Sequence, residues 1–153
     1  MRTRVLAATT VAALLPFAVV ACGDGEPAVP TVGTGSVSDA PDEAPADGPD
    51  LSGEEFTDLT GEAGVEVQAR DNNFVDPYIE ISAGTEVTFA NKGRNQHNVL
   101  PVEDGAFQPL ESEDFTPGTE GTVTFVEPGV YPYYCSLHGT TTKGMVGAVR
   151  VLE

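Results

Sequence analysis

From Val65 onward the chain alternates apolar and polar residues in short runs separated by Gly, Pro and Asn. Val65-Glu66-Val67-Gln68-Ala69, Ile79-Glu80-Ile81 and Val87-Thr88-Phe89 each carry the period of two expected of a strand with one buried face. Ser82-Ala83-Gly84-Thr85, between the last two, reads as a turn. Val99-Leu100, Thr122 to Phe125 and Val130 to Tyr134 continue the series, and Met145 to Leu152 closes it. No apolar stripe of useful length repeats at helical spacing. Short strands at these intervals predict an all-β sandwich over residues 65–153. Its core is small, so a bound metal should add visibly to its stability.

The preceding residues are patterned differently. Arg2 and Arg4 lead into an apolar stretch from Val5 to Ala21, broken by Pro16 and ending in Val19-Val20-Ala21-Cys22. A basic start, a short apolar run and small residues before a cleavage point predict an export signal over residues 1–21. The run is marginal in length for a membrane span. Residues 22–64 are Pro, Gly, Ala, Ser, Thr, Asp and Glu with almost no aromatics, too little apolar surface to offset the entropy of ordering. They predict a disordered acidic tether with a coil span of about 35–40 Å. Phe56 and Leu59 are a weak signal for one extra strand.

Charge narrows the partners. The chain has 24 acidic residues against 7 Lys and Arg, a formal net charge of −17. Such a surface excludes nucleic acid as a natural partner. It favours a protein partner with a basic face, steered by the long-range field.

Candidate chemistry comes from a few residues. The sequence holds two cysteines, two histidines and two methionines, one of which is the initiator. Cys135 and His138 are three apart, Met145 follows in Gly144-Met145-Val146-Gly147, and His97 lies far upstream. One thiolate, two imidazoles and a thioether are the ligands of a blue-copper site, with a trigonal His₂Cys plane and a weak axial Met. Cys22, the other cysteine, could in principle pair with Cys135 in an oxidising compartment. That would join the tether to a residue already framed by His and Met, so the domain is read as having no disulfide of its own.

Two resemblances follow from these residues. Tyr131-Pro132-Tyr133-Tyr134-Cys135-Ser136-Leu137-His138 through Val151 resembles the copper loop and last strand of the cupredoxins, and is most similar to the plastocyanin-like branch. Val87 to Gly93 followed by His97-Asn98-Val99 resembles the family's strand carrying the first His ligand. Residues 65–153 are accordingly identified as a member of the cupredoxin family, which implies a Greek-key β-sandwich holding one copper. Val19 to Cys22 resembles the lipobox of bacterial lipoproteins, which implies that Cys22 is lipidated and becomes the mature N-terminus.

The cupredoxin resemblance implies roles for particular residues. His97, Cys135, His138 and Met145 would be the metal ligands, and the edge of His138 the port for electrons. Asn98 would tie the two ligand loops by its side chain and donate its backbone N–H to the Cys135 sulfur. Two positions depart from plastocyanin. Gly139 to Gly144 make the loop between His138 and Met145 two residues longer, and Leu137 stands where plastocyanin has proline. Because Leu137 has an N–H, it is expected to give the Cys135 thiolate a second donor. Glu103-Asp104 and Glu111, Glu113, Asp114 resemble in kind the acidic surface that plastocyanin offers its partners.

The sequence therefore predicts an exported, monomeric electron carrier, lipid-anchored at Cys22 to a bacterial cell membrane and working between a redox donor and acceptor. It is not expected to be an enzyme, since copper oxidases and nitrite reductases need further histidines and none remain. Copper acquisition, delivery or resistance is the rival function for the same ligands. A structural zinc module could use the same Cys-His₂ set, but zinc has no need of a weak thioether and binds less tightly than Cu(II).

Overall fold

The computed structural model describes residues 44–153. These form two sheets packed face to face. The five-stranded sheet has the order β1-β4-β9-β8-β6 and the four-stranded sheet β3-β2-β5-β7. In chain order the strands are β1 Thr57–Asp58, β2 Gly64–Arg70, β3 Asn73–Val75, β4 Tyr78–Ser82, β5 Thr85–Asn91, β6 Leu100–Pro101, β7 Glu120–Phe125, β8 Gly129–Gly139 and β9 Gly144–Leu152. Both sheets are mixed: β2 runs parallel to β5 and β4 parallel to β9, whereas β7 and β8 run antiparallel to their neighbours β5 and β9. No helix among the described residues is long and apolar enough to cross a membrane.

Alternation explains which residues meet in the middle. Val67 and Ala69 of β2, Ile79 and Ile81 of β4, Val87 and Phe89 of β5, and Val123 and Phe125 of β7 are all buried. Their polar neighbours face outward, as period two dictates. At the centre Tyr133 packs edge-on against Phe74 and Phe89, with ring centroids 4.9 and 5.2 Å away. Edge-to-face contacts add a favourable term beyond the area they bury. The Tyr133 hydroxyl donates to the Pro77 carbonyl at 2.9 Å. Complete burial pushes its ionisation far above the ordinary phenol range, so it remains a neutral donor.

Gly147, on β9, makes this arrangement spatially feasible. A Cβ there would overlap both the Pro77 carbonyl and the Tyr133 ring. Only a hydrogen fits between the strand and the tyrosine.

Order begins earlier than the strand pattern indicates. The chain was expected to be an unstructured tether as far as residue 64, yet β1 pairs in parallel with β4 through Thr57–Ile79 and Asp58–Glu80. Leu59 N–H donates to the Glu80 carbonyl at 2.8 Å. Phe56 stacks on Tyr78, centroids 5.8 Å apart, and the Arg150 guanidinium lies 3.9 Å above the Phe56 ring. Pro49 is buried, and a Cβ on Gly48 would meet the Pro132 ring at 3.5 Å, so this segment also reaches β8. A two-residue strand leaves almost no periodic signal, and its docking depends on partners far away in sequence. The signal segment, Cys22 and the earlier part of the proposed tether lie outside the described residues.

Candidate metal centre

Three potential ligand atoms converge at one end of the sandwich. The sulfur of Cys135 and the ring nitrogens of His97 and His138 all lie within 4.8 Å of one another. Cys135 Sγ is 3.7 Å from His97 Nδ1 and 3.5 Å from His138 Nδ1. The two imidazole centroids are 4.7 Å apart, and the rings are tilted at 51°. Ligand bonds of about 2.0–2.3 Å opened to angles near 110–120° hold N and S about 3.6–3.8 Å apart. The observed spacings fit one first-row metal ion bound between them.

The ligands reach this point by different routes. His97 arrives on the loop after β5 and is fully buried. Its main-chain N–H donates to the Phe115 carbonyl at 3.1 Å. Cys135 and His138 both sit in β8; Cys135 is fully buried and His138 half-buried. The chain was expected to leave the strand near Cys135, with His138 in the connection that leads to the last strand. Instead β8 runs on to Gly139 and β9 begins at Gly144, with a register shift between Tyr134 and Gly139. Such a bulge redirects side chains without ending the pairing.

Gly139 and Gly144 make this extension feasible. They pair across the hairpin so closely that a Cβ on either would lie 2.8 Å or less from the backbone opposite. Gly144 also has φ of 92°, a left-handed conformation that suits glycine. Beyond the pair, Thr140 N–H donates to the Lys143 carbonyl at 2.9 Å and closes a turn. The longer connection is thus absorbed in a tip beyond the glycine pair, and Met145 follows Gly144 at the start of β9. Met145 is fully buried and belongs to the same apolar cluster as Cys135 and Val99.

Asn98 joins the two ligand segments. Its Nδ2 donates to Ser136 Oγ and its Oδ1 accepts from Ser136 N–H, each at 2.9 Å. Ser136 had not been singled out in the sequence, although its place beside Cys135 was visible. The Cys135 sulfur stands between the two imidazoles. The Leu137 side chain is 51 % exposed, beside His138 at the open side of the centre.

Burial holds the His97 pKa below the ordinary imidazole range, and the nearby His138 pushes it the same way. Asp71 opposes this weakly from a distance. The resulting neutral imidazole has a nitrogen lone pair to offer a metal. Asp71 is itself engaged with Arg94, at 2.9 Å.

The profile of the copper binding proteins of the plastocyanin/azurin family matches residues 62–152. The chain belongs to this family. As a cupredoxin it binds one copper, and His97, Cys135 and His138 fit such a centre. Over 87 residues the chain is 38 % identical to plastocyanin of Solanum crispum, covering 51 % of this chain and 86 % of that protein. It is 36 % identical to the chloroplastic plastocyanin of Silene latifolia subsp. alba, also over 87 residues, with 51 % and 52 % covered. It therefore spans about half the length of the latter. A solved structure of an amicyanin mutant in its reduced state superposes with a TM-score of 0.50 at 26 % identity, covering 58 % of this chain and 82 % of that one.

Proposed function

We propose that this cupredoxin carries single electrons between redox proteins outside the cytoplasm, held at a bacterial membrane by a lipid on Cys22. The observation that carries the reading is the convergence of a buried thiolate donor and two imidazoles in a framework already closed by Asn98 and Ser136. Copper bound there would supply the one-electron Cu(II)/Cu(I) couple, and a preformed ligand set limits what must rearrange between those states. Met145 is assigned as the weak axial ligand from its burial and its position after Gly144. His138, half-buried beside exposed Leu137, is the natural route for the electron.

An acidic docking face supports the choice of partner. Asp104 and Glu111 line a groove of about 450 Å³ with Leu100, Pro101 and Tyr134, the residue before Cys135. A redox partner with a basic face fits this groove, and added salt should slow the electron transfer. Copper delivery is the second reading, favoured by the partial exposure of His138.

The deciding experiment is the visible absorption and EPR spectrum of residues 44–153 loaded with Cu(II). An intense blue thiolate-to-copper band with narrow hyperfine splitting is expected. A pale, ordinary Cu(II) spectrum would overturn the reading. Rapid loss of copper to a competing chelator, without a reversible potential, would favour delivery instead.

A further inference from the structure

Asn91, the last residue of β5, is fully buried, polar and uses its whole amide group near the metal end. Its Oδ1 accepts from Gly93 N–H at 3.1 Å, which opens the following loop as an Asx turn. Its Nδ2 donates to the Asn95 carbonyl at 2.9 Å and to the Phe115 carbonyl at 3.0 Å. The same Phe115 oxygen accepts the main-chain N–H of His97 at 3.1 Å. One carbonyl therefore fixes both the amide of Asn91 and the backbone of the ligand six positions later.

A second observation shows why this matters for the metal centre. A ligand imidazole is ordinarily oriented by a hydrogen bond on its remote ring nitrogen. His97 Nε2 is buried and has no hydrogen-bond partner in the structure. Its Nδ1 must then be aimed by packing and by the main chain that carries it. The Asn91 side chain clamps that main chain at Gly93 and Asn95, and also holds the Phe115 carbonyl that accepts the His97 N–H.

We propose that Asn91 is the positioning residue for His97, holding the loop so that Nδ1 stands 3.7 Å from the Cys135 sulfur. The proposal rests on reading this cluster as the copper centre. Replacement by Ala removes all three bonds. Replacement by Asp retains an acceptor for Gly93 but lacks the two donors, and sets a carboxylate against two carbonyl oxygens. Both changes take the amide donor away from the Asn95 and Phe115 carbonyls and loosen the loop.

The test compares Asn91→Ala and Asn91→Asp with Val87→Ala, a cavity in the same strand away from the ligand loop, chosen as a destabilised control. Copper release to a chelator is expected to quicken about tenfold or more in the Asn91 variants, the usual scale for lost support of a ligand. Their thiolate-to-copper band should move, while the control keeps its band and retention. In the metal-free protein, amide hydrogen exchange at His97 should speed up in both Asn91 variants relative to the control. Should Asn91→Ala fail to fold, Asn91→Asp and wild-type exchange at His97 carry the comparison. Wild-type spectra, copper retention and His97 exchange in folded Asn91 variants would overturn the proposal. Absence of a blue band from the wild type would remove the copper-carrier reading, whereas the His97 exchange result would stand apart from it.

Discussion

Asn98 and Ser136 hold each other by two 2.9 Å hydrogen bonds across 38 positions of sequence, one side chain to side chain and one side chain to backbone. The pair links the residue after His97 to the residue after Cys135, so it closes the ligand frame. Asn98→Ala strands a partly buried Ser136 N–H, a loss of about 1–3 kcal/mol. Ser136→Ala removes only a hydroxyl and should cost less, about 0.5–1.5 kcal/mol. Denaturant unfolding of the two metal-free variants measures the difference. Equal losses would mean that the backbone bond is not the stronger tie.

Gly147 is predicted to be intolerant of the smallest side chain. The Cβ of Gly147→Ala would overlap the Pro77 carbonyl and the Tyr133 ring, neither of which is the free end of a flexible chain. Overpacking of this kind costs about 1–3 kcal/mol, with the Tyr133–Pro77 hydrogen bond at further risk. Thermal unfolding should show a fall of several degrees at least. Tyr133→Phe alone, which removes one oxygen and one hydrogen bond, should be milder.

The metal-free protein should lose stability as the pH falls through the histidine range. His97 has a folded-state pKa depressed mainly by burial, so the unfolded chain binds its proton first. Unfolding is then favoured by protons: the His97 contribution is complete above about pH 6.5 and declines below it until the folded-state value is reached. Urea midpoints at pH 7.5 and 5.5 should differ, and His97→Gln should flatten that part of the profile. The exposed Asp50, Asp58 and Asp71, whose values lie below the ordinary carboxylate range, act only at more acid pH. An unchanged slope in the glutamine variant would refute the assignment.

The sequence showed the ligands more clearly than the path connecting them. His97, Cys135 and His138 stand in an order and spacing that few other chemistries need, and the structure brings all three together. Period-two alternation located β2, β4, β5 and β7 because each buries one face. It missed β3, whose three residues offer a single buried Phe74. It also ended β8 too soon, because the strand continues past Cys135 only where Gly139 can approach Gly144. Asn91 was not singled out, because its bond to Phe115 is between residues 24 apart and has no local signature.

The segment before residue 65 is predicted to be part of the folding unit. A chain beginning at residue 65 loses β1, the Phe56–Tyr78 contact and the Arg150–Phe56 contact, and uncovers the edge of β4. Compared with residues 44–153 it should unfold at lower temperature and associate more readily, since an open edge is a template for pairing. Phe56→Ala in the longer chain isolates the ring: loss of a partly exposed cation–π contact is worth about 0.5–1 kcal/mol, before any lost burial. Calorimetry and sedimentation test the two effects separately. Identical unfolding of both chains would return this segment to the status of a tether.

Met145→Leu separates packing from ligation. The side chain is fully buried in the cluster that contains Cys135 and Val99, so an aliphatic replacement of similar volume should cost the metal-free protein less than about 1.5 kcal/mol. Met145→Ala, by contrast, opens a cavity and should cost about 2–5 kcal/mol. A weak axial thioether tunes the reduction potential of a blue-copper centre. If Met145 fills that role, Met145→Leu should shift the midpoint potential and the EPR hyperfine pattern while leaving metal-free unfolding nearly unchanged. A leucine variant with wild-type potential and spectrum would assign Met145 to the core alone, and leave His97, Cys135 and His138 as the complete ligand set.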